Sequence, residues 1–236
     1  MNKPRALIGI SGGGTGLNNL CEATADGRLD MEIIGVVHNV PCGGLAFAKK
    51  HGVPTRHFPK HERVSGAHER LVHEMSDGDP ECFLFLSGAL WPVEMKHGPD
   101  DPGPGLDPRF GANIHPGLLS LLGLDETPLL GGDGMHGDHV HMKALKEGLS
   151  GSGLGMHFLT KKYDGGPIVF EYPLPIIYEG WEHLKKGVNA MEHYFQPYVT
   201  NLIAHRKIRW DGKNRDSLIV PDGYRFLPQA TQYTPM

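Results

Sequence analysis

The chain has 236 residues and carries 23 Lys and Arg against 27 Asp and Glu, a formal net charge of −4; that balance lacks the basic footprint of a nucleic-acid binder, and the length supports a sizeable core without covalent staples. Three cysteines are too few for a disulfide framework and fit a reducing, cytoplasmic setting. No apolar run approaches the ~20 residues of a membrane span, and the stretch behind Met1–Arg5 is cut by Gly9 and Gly12–Gly14, which makes a poor signal peptide.

Arg5–Ile10 reads as a short buried strand closed by the turn Ser11-Gly12-Gly13-Gly14-Thr15-Gly16, and Leu17–Thr24 carries apolar residues at helical spacing. Met31–Val37 is a second strand, Leu45–Lys50 opens a short helix that Gly52 stops, and Pro54–Phe58 has the character of an edge strand. Glu62–Met75 is expected as one helix with Val64, Leu71, Val72 and Met75 on its apolar side. Cys82–Leu86 (CFLFL) is apolar throughout, as in a strand buried on both faces of a parallel sheet. Strands alternating with helices imply right-handed βαβ units and an α/β fold, a Rossmann-like, mostly parallel twisted sheet with helices on both faces.

Lys96–Pro108 is dominated by Gly, Pro and Asp and reads as a surface excursion. Gly111–His115 looks like a strand end, followed by a long loop over Pro116–Gly137 and a helix over His139–Glu147. Gly155–Thr160 and Pro167–Tyr172 are strands flanking the turn Lys161–Gly166, Trp181–His205 is the longest helical pattern, and a polar tail follows. The 33 glycines, about twice the usual ~7 % share, are spread between apolar segments. With no repeat and no linker, one domain over residues 1–206 is expected, with a C-terminal extension over 207–236 packed on it or partly flexible.

Three features carry chemistry. A strand ending in Ser11–Gly16 and opening a helix is suited to an anion, because bare backbone N–H groups and a helix N-terminus face it. It is no P-loop, since no Lys-Ser/Thr pair closes it. It is also a defective dinucleotide fingerprint, with Leu17 where a third small residue belongs and His38-Asn39 where an acidic ribose ligand belongs. A tight turn alone would explain the loop as well. Asn113 and His115 sit two apart at a strand end and leave the same face, stopped by Pro116: a carboxamide beside an imidazole is an oxyanion donor beside a proton carrier. A hydrogen-bonded structural histidine is the bland alternative. Asp164, in Tyr163-Asp164-Gly165-Gly166-Pro167, reads by itself as a hairpin turn. Asp133, His136, Asp138, His139 and His141 crowd together and could suit zinc or iron, yet no H-E-x-x-H appears.

In combination these residues resemble the folate-dependent formyltransferases. Ile10–Leu17, Leu86-Ser87-Gly88, Asn113–Leu119, His139-Val140-His141, Met156-His157-Phe158 and Asp164–Ile168 occur in that family's order, from about residue 5 to about residue 205. The resemblance implies 10-formyltetrahydrofolate as co-substrate, no metal, and a catalytic trio of Asn113, His115 and Asp164 with His139, His141 and His157 in support. In the branch acting on glycinamide ribonucleotide it implies that Gly14, Thr15 and Gly16 hold the substrate phosphate. The family usually has Asn where this chain has Gly16, so backbone donors carry more of that contact. Asn189 and Glu192 match a helix segment meeting the substrate amine or ribose, although a solvated helix face would also explain Glu192. For the folate, the family's arginine-bearing segment corresponds to Leu90, Trp91, Pro92 and Val93. Trp91 either covers an aromatic ring of the donor or fills the core. Arg63 is the nearest match to an arginine expected near Ser65, and Lys161 and Lys162, ahead of Tyr163, offer positive charge. The implied activity is formyl transfer to the primary amine of glycinamide ribonucleotide in purine biosynthesis. The alternatives are a sugar-nucleotide N-formyltransferase with the same donor and trio, or a phosphate- or folate-binding sensor. Small-molecule substrates are expected, with no nucleic acid and no membrane, in a monomer or homodimer.

Overall fold

The computed structural model describes residues 3–89, 91–177, 180–228 and 231–232. Its frame is a seven-stranded sheet in the order β3-β2-β1-β4-β5-β7-β8. β1 (Arg5–Ile10), β2 (Glu32–His38), β3 (Thr55–His57), β4 (Phe83–Ser87) and β5 (Gly111–His115) run parallel; β7 (Gly151–Phe158) and β8 (Ile168–Pro175) run antiparallel to their neighbours. The helices are α1 (Thr15–Ala25), α2 (Gly44–Lys50), α3 (Ala67–Met75), α4 (Asp138–Lys146) and α5 (Trp181–Ala204). Two short strands, β6 (Leu121–Leu122) and β9 (Thr231–Gln232), pair apart from the main sheet. Among the described residues no helix is long and apolar enough to cross a membrane.

Strand alternation divides the core. Ala6, Ile8 and Ile10 of β1, Phe83 and Phe85 of β4, and Ala112 and Ile114 of β5 pack with Leu17, Leu20, Val140, Val188 and Val199 of α1, α4 and α5. Leu7, Leu84 and Leu86 turn the other way, toward Leu71 and Val72 of α3, Trp91 and Met95. Each fully buried aliphatic or aromatic side chain here stabilises the fold by about 1.5–3 kcal/mol. The same alternation sends Asn113 and His115 to the α3 side. Register completes the placement: Gly9 pairs with Leu86, Leu86 with Asn113, and Asn113 with His157, so one row across four strands delivers both polar side chains.

Several expectations are corrected. The helix expected over Glu62–Met75 is confined to Ala67–Met75, preceded by a single 3-10 turn at Lys60–Glu62. Gly66 at φ 74° breaks the pattern, and Val64 is exposed rather than packed. β7 and β8 are longer than read: β7 begins at Gly151, because its glycines mask the alternation, and β8 continues to Pro175. The segment after α5 is not simply a polar tail. Ile208 and Trp210 are buried in the main core, Tyr224 Oη donates to the Val169 carbonyl at 2.8 Å, and the Phe226 carbonyl accepts from Glu171 N at 2.9 Å. The excursion is pinned at its neck, where Lys96 N donates to the Leu106 carbonyl at 2.9 Å over buried Met95.

Candidate active site

A cavity of ≈ 280 Å³ opens beyond the carboxyl ends of β4 and β5, the expected ligand position in an open α/β sheet. Trp91, Val93, Met95 and Leu159 give it an apolar wall; Asn113, His115, His157 and Asp164 form the opposite, polar one. Pro92, Lys161, Lys162 and Tyr163 also line it, whereas Arg63 and His139 do not, and Leu90 lies outside the described residues.

Asp164 reaches the site from the turn between β7 and β8, where it adopts a left-handed φ of 46°; aspartate is one of the few non-glycine residues that tolerates this region. Its Oδ2 accepts from Gly132 N at 2.8 Å and lies 3.7 Å from His115 Nδ1, while its Oδ1 lies 3.3 Å from His157 Nε2. Burial raises its pKa, but the imidazoles of His157 and His115 and the Gly132 N–H outweigh it and hold the carboxyl below its ordinary value. It is therefore a carboxylate at neutral pH.

His115, 3 % exposed, has Nε2 at 2.6 Å from the Leu130 carbonyl. A carbonyl only accepts, so Nε2 carries the hydrogen and the neutral ring presents an unprotonated Nδ1 toward Asp164. Burial depresses its pKa more than Asp164 restores it, so the resting ring is neutral. His157 Nδ1 likewise donates to the Phe158 carbonyl at 2.9 Å, leaving Nε2 to meet Asn113 Nδ2 at 3.2 Å. One Asn113 N–H is thereby engaged and the second is available to the cavity.

Beyond the carboxyl end of β1, where Ser11 N donates to the carbonyl of the cavity-lining Gly88 at 3.0 Å, Gly14 caps α1 at φ 75°, and a Cβ there would lie 2.3 Å from Gly44 Cα. Only glycine lets the loop and α2 approach so closely. Gly14 and Thr15 open α1, and the buried Gly16 lies under Glu192 of α5, whose Oε1 would be 2.7 Å from a Cβ at position 16. Burial pushes the Glu192 carboxyl up to about 7. Asn189 precedes Glu192 by three residues, on the same helix face.

The supporting histidines separate. His157 is central, while His141 is buried with Nδ1 unpartnered and its pKa pushed down to about 4 by burial. His139 is exposed against His136, ring centroids 5.0 Å apart. Among the described residues, no three His, Cys, Asp or Glu side chains converge as a metal-holding group. Sequence reading missed the Leu130 carbonyl and the Gly132 N–H, and named His136, which lines the cavity, only as a possible metal ligand; the glycines around Gly131-Gly132 were the available signal for a backbone contribution.

No protein-family model matches the chain. The chloroplastic phosphoribosylglycinamide formyltransferase of Arabidopsis thaliana is 29 % identical over 215 residues, 88 % of this chain and 68 % of that protein. The phosphoribosylglycinamide formyltransferase of Escherichia coli (strain K12) is 25 % identical over 236 residues, 95 % and 96 % of the two chains. Among solved structures, the Coxiella burnetii phosphoribosylglycinamide formyltransferase in complex with CHES superposes with a TM-score of 0.67 at 25 % identity, covering 93 % of this chain and 100 % of that one. The glycinamide ribonucleotide transformylase 1 of Symbiobacterium toebii, at 24 % identity, shares the fold with a TM-score of 0.74 over 93 % and 95 %. In fold and in sequence the chain is thus similar to formyltransferases with an α/β Rossmann-like fold. Within that class, the chain is similar to the phosphoribosylglycinamide formyltransferases along most of its length.

Proposed function

We propose that this chain transfers the formyl group of 10-formyltetrahydrofolate to the primary amine of glycinamide ribonucleotide, in the cytoplasm, as a step of purine biosynthesis. The observation that carries the reading is the meeting of Asn113, His115 and Asp164 in one cavity, on a chain whose named relatives are formyltransferases for this substrate. The apolar wall of Trp91, Val93 and Met95 suits the flat ring of a pterin, and Lys162 at the mouth suits its glutamyl carboxylate. Gly14, Thr15 and Gly16 hold the acceptor phosphate, and Asn189 and Glu192 face its amine or ribose.

In the reaction the amine nitrogen attacks the formyl carbon, and the carbonyl electron pair moves onto oxygen. The free N–H of Asn113 is the donor for that oxyanion. His115 takes a proton at Nδ1, becoming an imidazolium that is balanced by Asp164 and adds positive charge beside the oxyanion. A water ordered by Asp164 relays the proton to N10 as the carbon–N10 bond breaks and the carbonyl re-forms, which leaves tetrahydrofolate and the formylated amide. His157 Nε2 accepts from the Asn113 amide and sits 3.3 Å from Asp164 Oδ1, a positioning role. The direct test is consumption of 10-formyltetrahydrofolate with glycinamide ribonucleotide set against amino-sugar nucleotides. Turnover confined to amino sugars overturns the choice of acceptor.

A further inference from the structure

The excursion over Lys96–Pro108 is a built loop that the transfer chemistry leaves without a task. Its neck is closed by Lys96 N donating to the Leu106 carbonyl and Leu106 N to the Glu94 carbonyl, both at 2.9 Å. One side chain closes its turn: Asp101 Oδ2 accepts from His97 N and Oδ1 from Gly103 N, each at 2.8 Å. Its tip is pinned to the segment after α5, where Lys213 Nζ meets Asp100 Oδ2 at 2.6 Å and a Cβ on Gly98 would lie 2.8 Å from Lys213 Cγ. The loop thereby sets Asp101, whose side chain is 19 % exposed, 3.8 Å from Nζ of the cavity-lining Lys161. The His97 and Gly103 N–H groups hold the Asp101 carboxyl below its ordinary value, so it is an anion at neutral pH.

Charge counting at the cavity indicates what this placement does. Among the described residues lining it, Lys161 and Lys162 are the only permanent cations. Lys162 pairs with no carboxylate among the described residues, whereas Lys161 faces Asp101. The Asp101 carboxylate cannot swing away, because both of its oxygens are bonded to the backbone of its own loop. An anion and a cation this close cancel for any third charge beyond a few ångströms, and salt screens what remains. We propose that the excursion is a specificity element for the tail of the donor: Asp101 occupies Lys161, so that Lys162 alone reads a glutamyl carboxylate and a tail lengthened by further glutamyl residues gains no second hold. The proposal rests on the reading of the cavity as the folate donor's site, and it turns on a residue of the excursion that touches no reacting atom.

Titration calorimetry with tetrahydrofolate monoglutamate and with tetrahydrofolate triglutamate separates the tail's contribution from that of the ring. In the parent protein the two forms bind within about twofold of one another. Asp101→Asn frees Lys161 and keeps an oxygen for Gly103 N; in it the triglutamate gains about fivefold while the monoglutamate holds, the size of one exposed ion pair. The double variant Asp101→Asn, Lys161→Gln lacks both charges and returns to the parent ratio. If Asp101→Asn does not fold, Asp101→Ser, whose hydroxyl accepts in the same kind of turn, carries the comparison, with its melting curve as the control. An unmoved ratio in the charge-removing variant overturns the proposal, and so does an equal gain by both forms, which would mark a general change in surface charge. A gain that survives in the double variant, or a strong triglutamate preference already in the parent, assigns the tail to another cation and overturns it as well. A parent protein that binds neither form refutes the donor reading and the proposal with it, whereas one that binds both with a ratio unmoved by the variant loses the proposal alone.

Discussion

Replacing Asp164 by Asn isolates the charge at the centre of the cavity. Asparagine tolerates the left-handed backbone at this position, φ 46°, and its amide oxygen still accepts from Gly132 N, so the turn keeps its shape. What disappears is a carboxylate 3.7 Å from His115 Nδ1. Both groups are nearly buried, and at an effective dielectric of about 20 that charge stabilises an imidazolium by about 4 kcal/mol. Carried fully into the transition state, the loss is a fall of about 10³ in kcat; partial compensation by water leaves about 10². The sign of the accompanying pH effect is fixed. His115 already sits below its ordinary pKa because burial outweighs Asp164, so removing the anion lowers it further and moves its limb of the pH–rate profile toward lower pH. Steady-state kinetics between pH 5 and 9, with melting curves to confirm the fold, make the measurement. A variant with parental turnover, or a low plateau whose limb stays in place, would falsify the pairing.

Gly14→Ala should raise the KM of the amine substrate while sparing that of the folate, because a left-handed alanine costs about 1–2 kcal/mol and its Cβ would force Gly44 of α2 away from the loop; a change in folate KM alone would mean the loop serves the donor. Trp91 is 3 % exposed and lines the cavity as well, so core and pocket readings merge. Trp91→Ala should lower stability by about 3–5 kcal/mol and raise the donor KM together, and an unmoved melting temperature would contradict its burial. His68 and His141 are pushed from 6.5 down to about 4 by burial. The unfolded chain therefore binds more protons in that window, and stability should fall by about 3 kcal/mol per histidine as pH drops from 6.5 to 4. Glu192, raised from 4.5 to about 7, acts with the opposite sign, so denaturant midpoints at pH 6.5 and 4.5 are compared between His141→Asn and the parent protein; the same pH dependence in both contradicts the histidine assignment.

The parallel core of the fold was legible because its strands are short apolar runs between glycine turns: Arg5–Ile10 and Gly111–His115 coincide with β1 and β5, and the apolar run Cys82–Leu86 lies one residue from β4. The helix start at Ala67 was not legible, since charged residues before Gly66 continue a helical pattern that the glycine's backbone then interrupts. The beginning of β7 escaped for the opposite reason: Gly151, Gly153 and Gly155 present no side chains to alternate, yet Gly153 is needed where a Cβ would lie 2.3 Å from the Tyr172 carbonyl. Asn113, His115 and Asp164 were visible as types and as an order, and the resemblance did the rest. Their meeting depended on β7 running antiparallel beside β5, which no local pattern encodes.

What the motif residues do is set by groups with no motif. His115 could serve as acid or base by identity alone; the Leu130 carbonyl fixes its tautomer, and burial fixes its resting charge. Leu130 and Gly132 lie in the long loop after β5, and that loop is held in turn by Glu171 of β8, which accepts from Leu119 N at 2.5 Å, from Ser120 N at 2.9 Å and from the Ser120 hydroxyl. Glu171 N is bonded to the Phe226 carbonyl. A path of direct contacts therefore runs from the segment after α5, through one buried carboxylate, to the loop carrying both backbone partners of the site. Loosening that carboxylate should act on His115 through Leu130. The loop chain sets the charge state and the sheet register sets the position, so the two are separable by mutation, although the residues they serve stand within a few ångströms of one another.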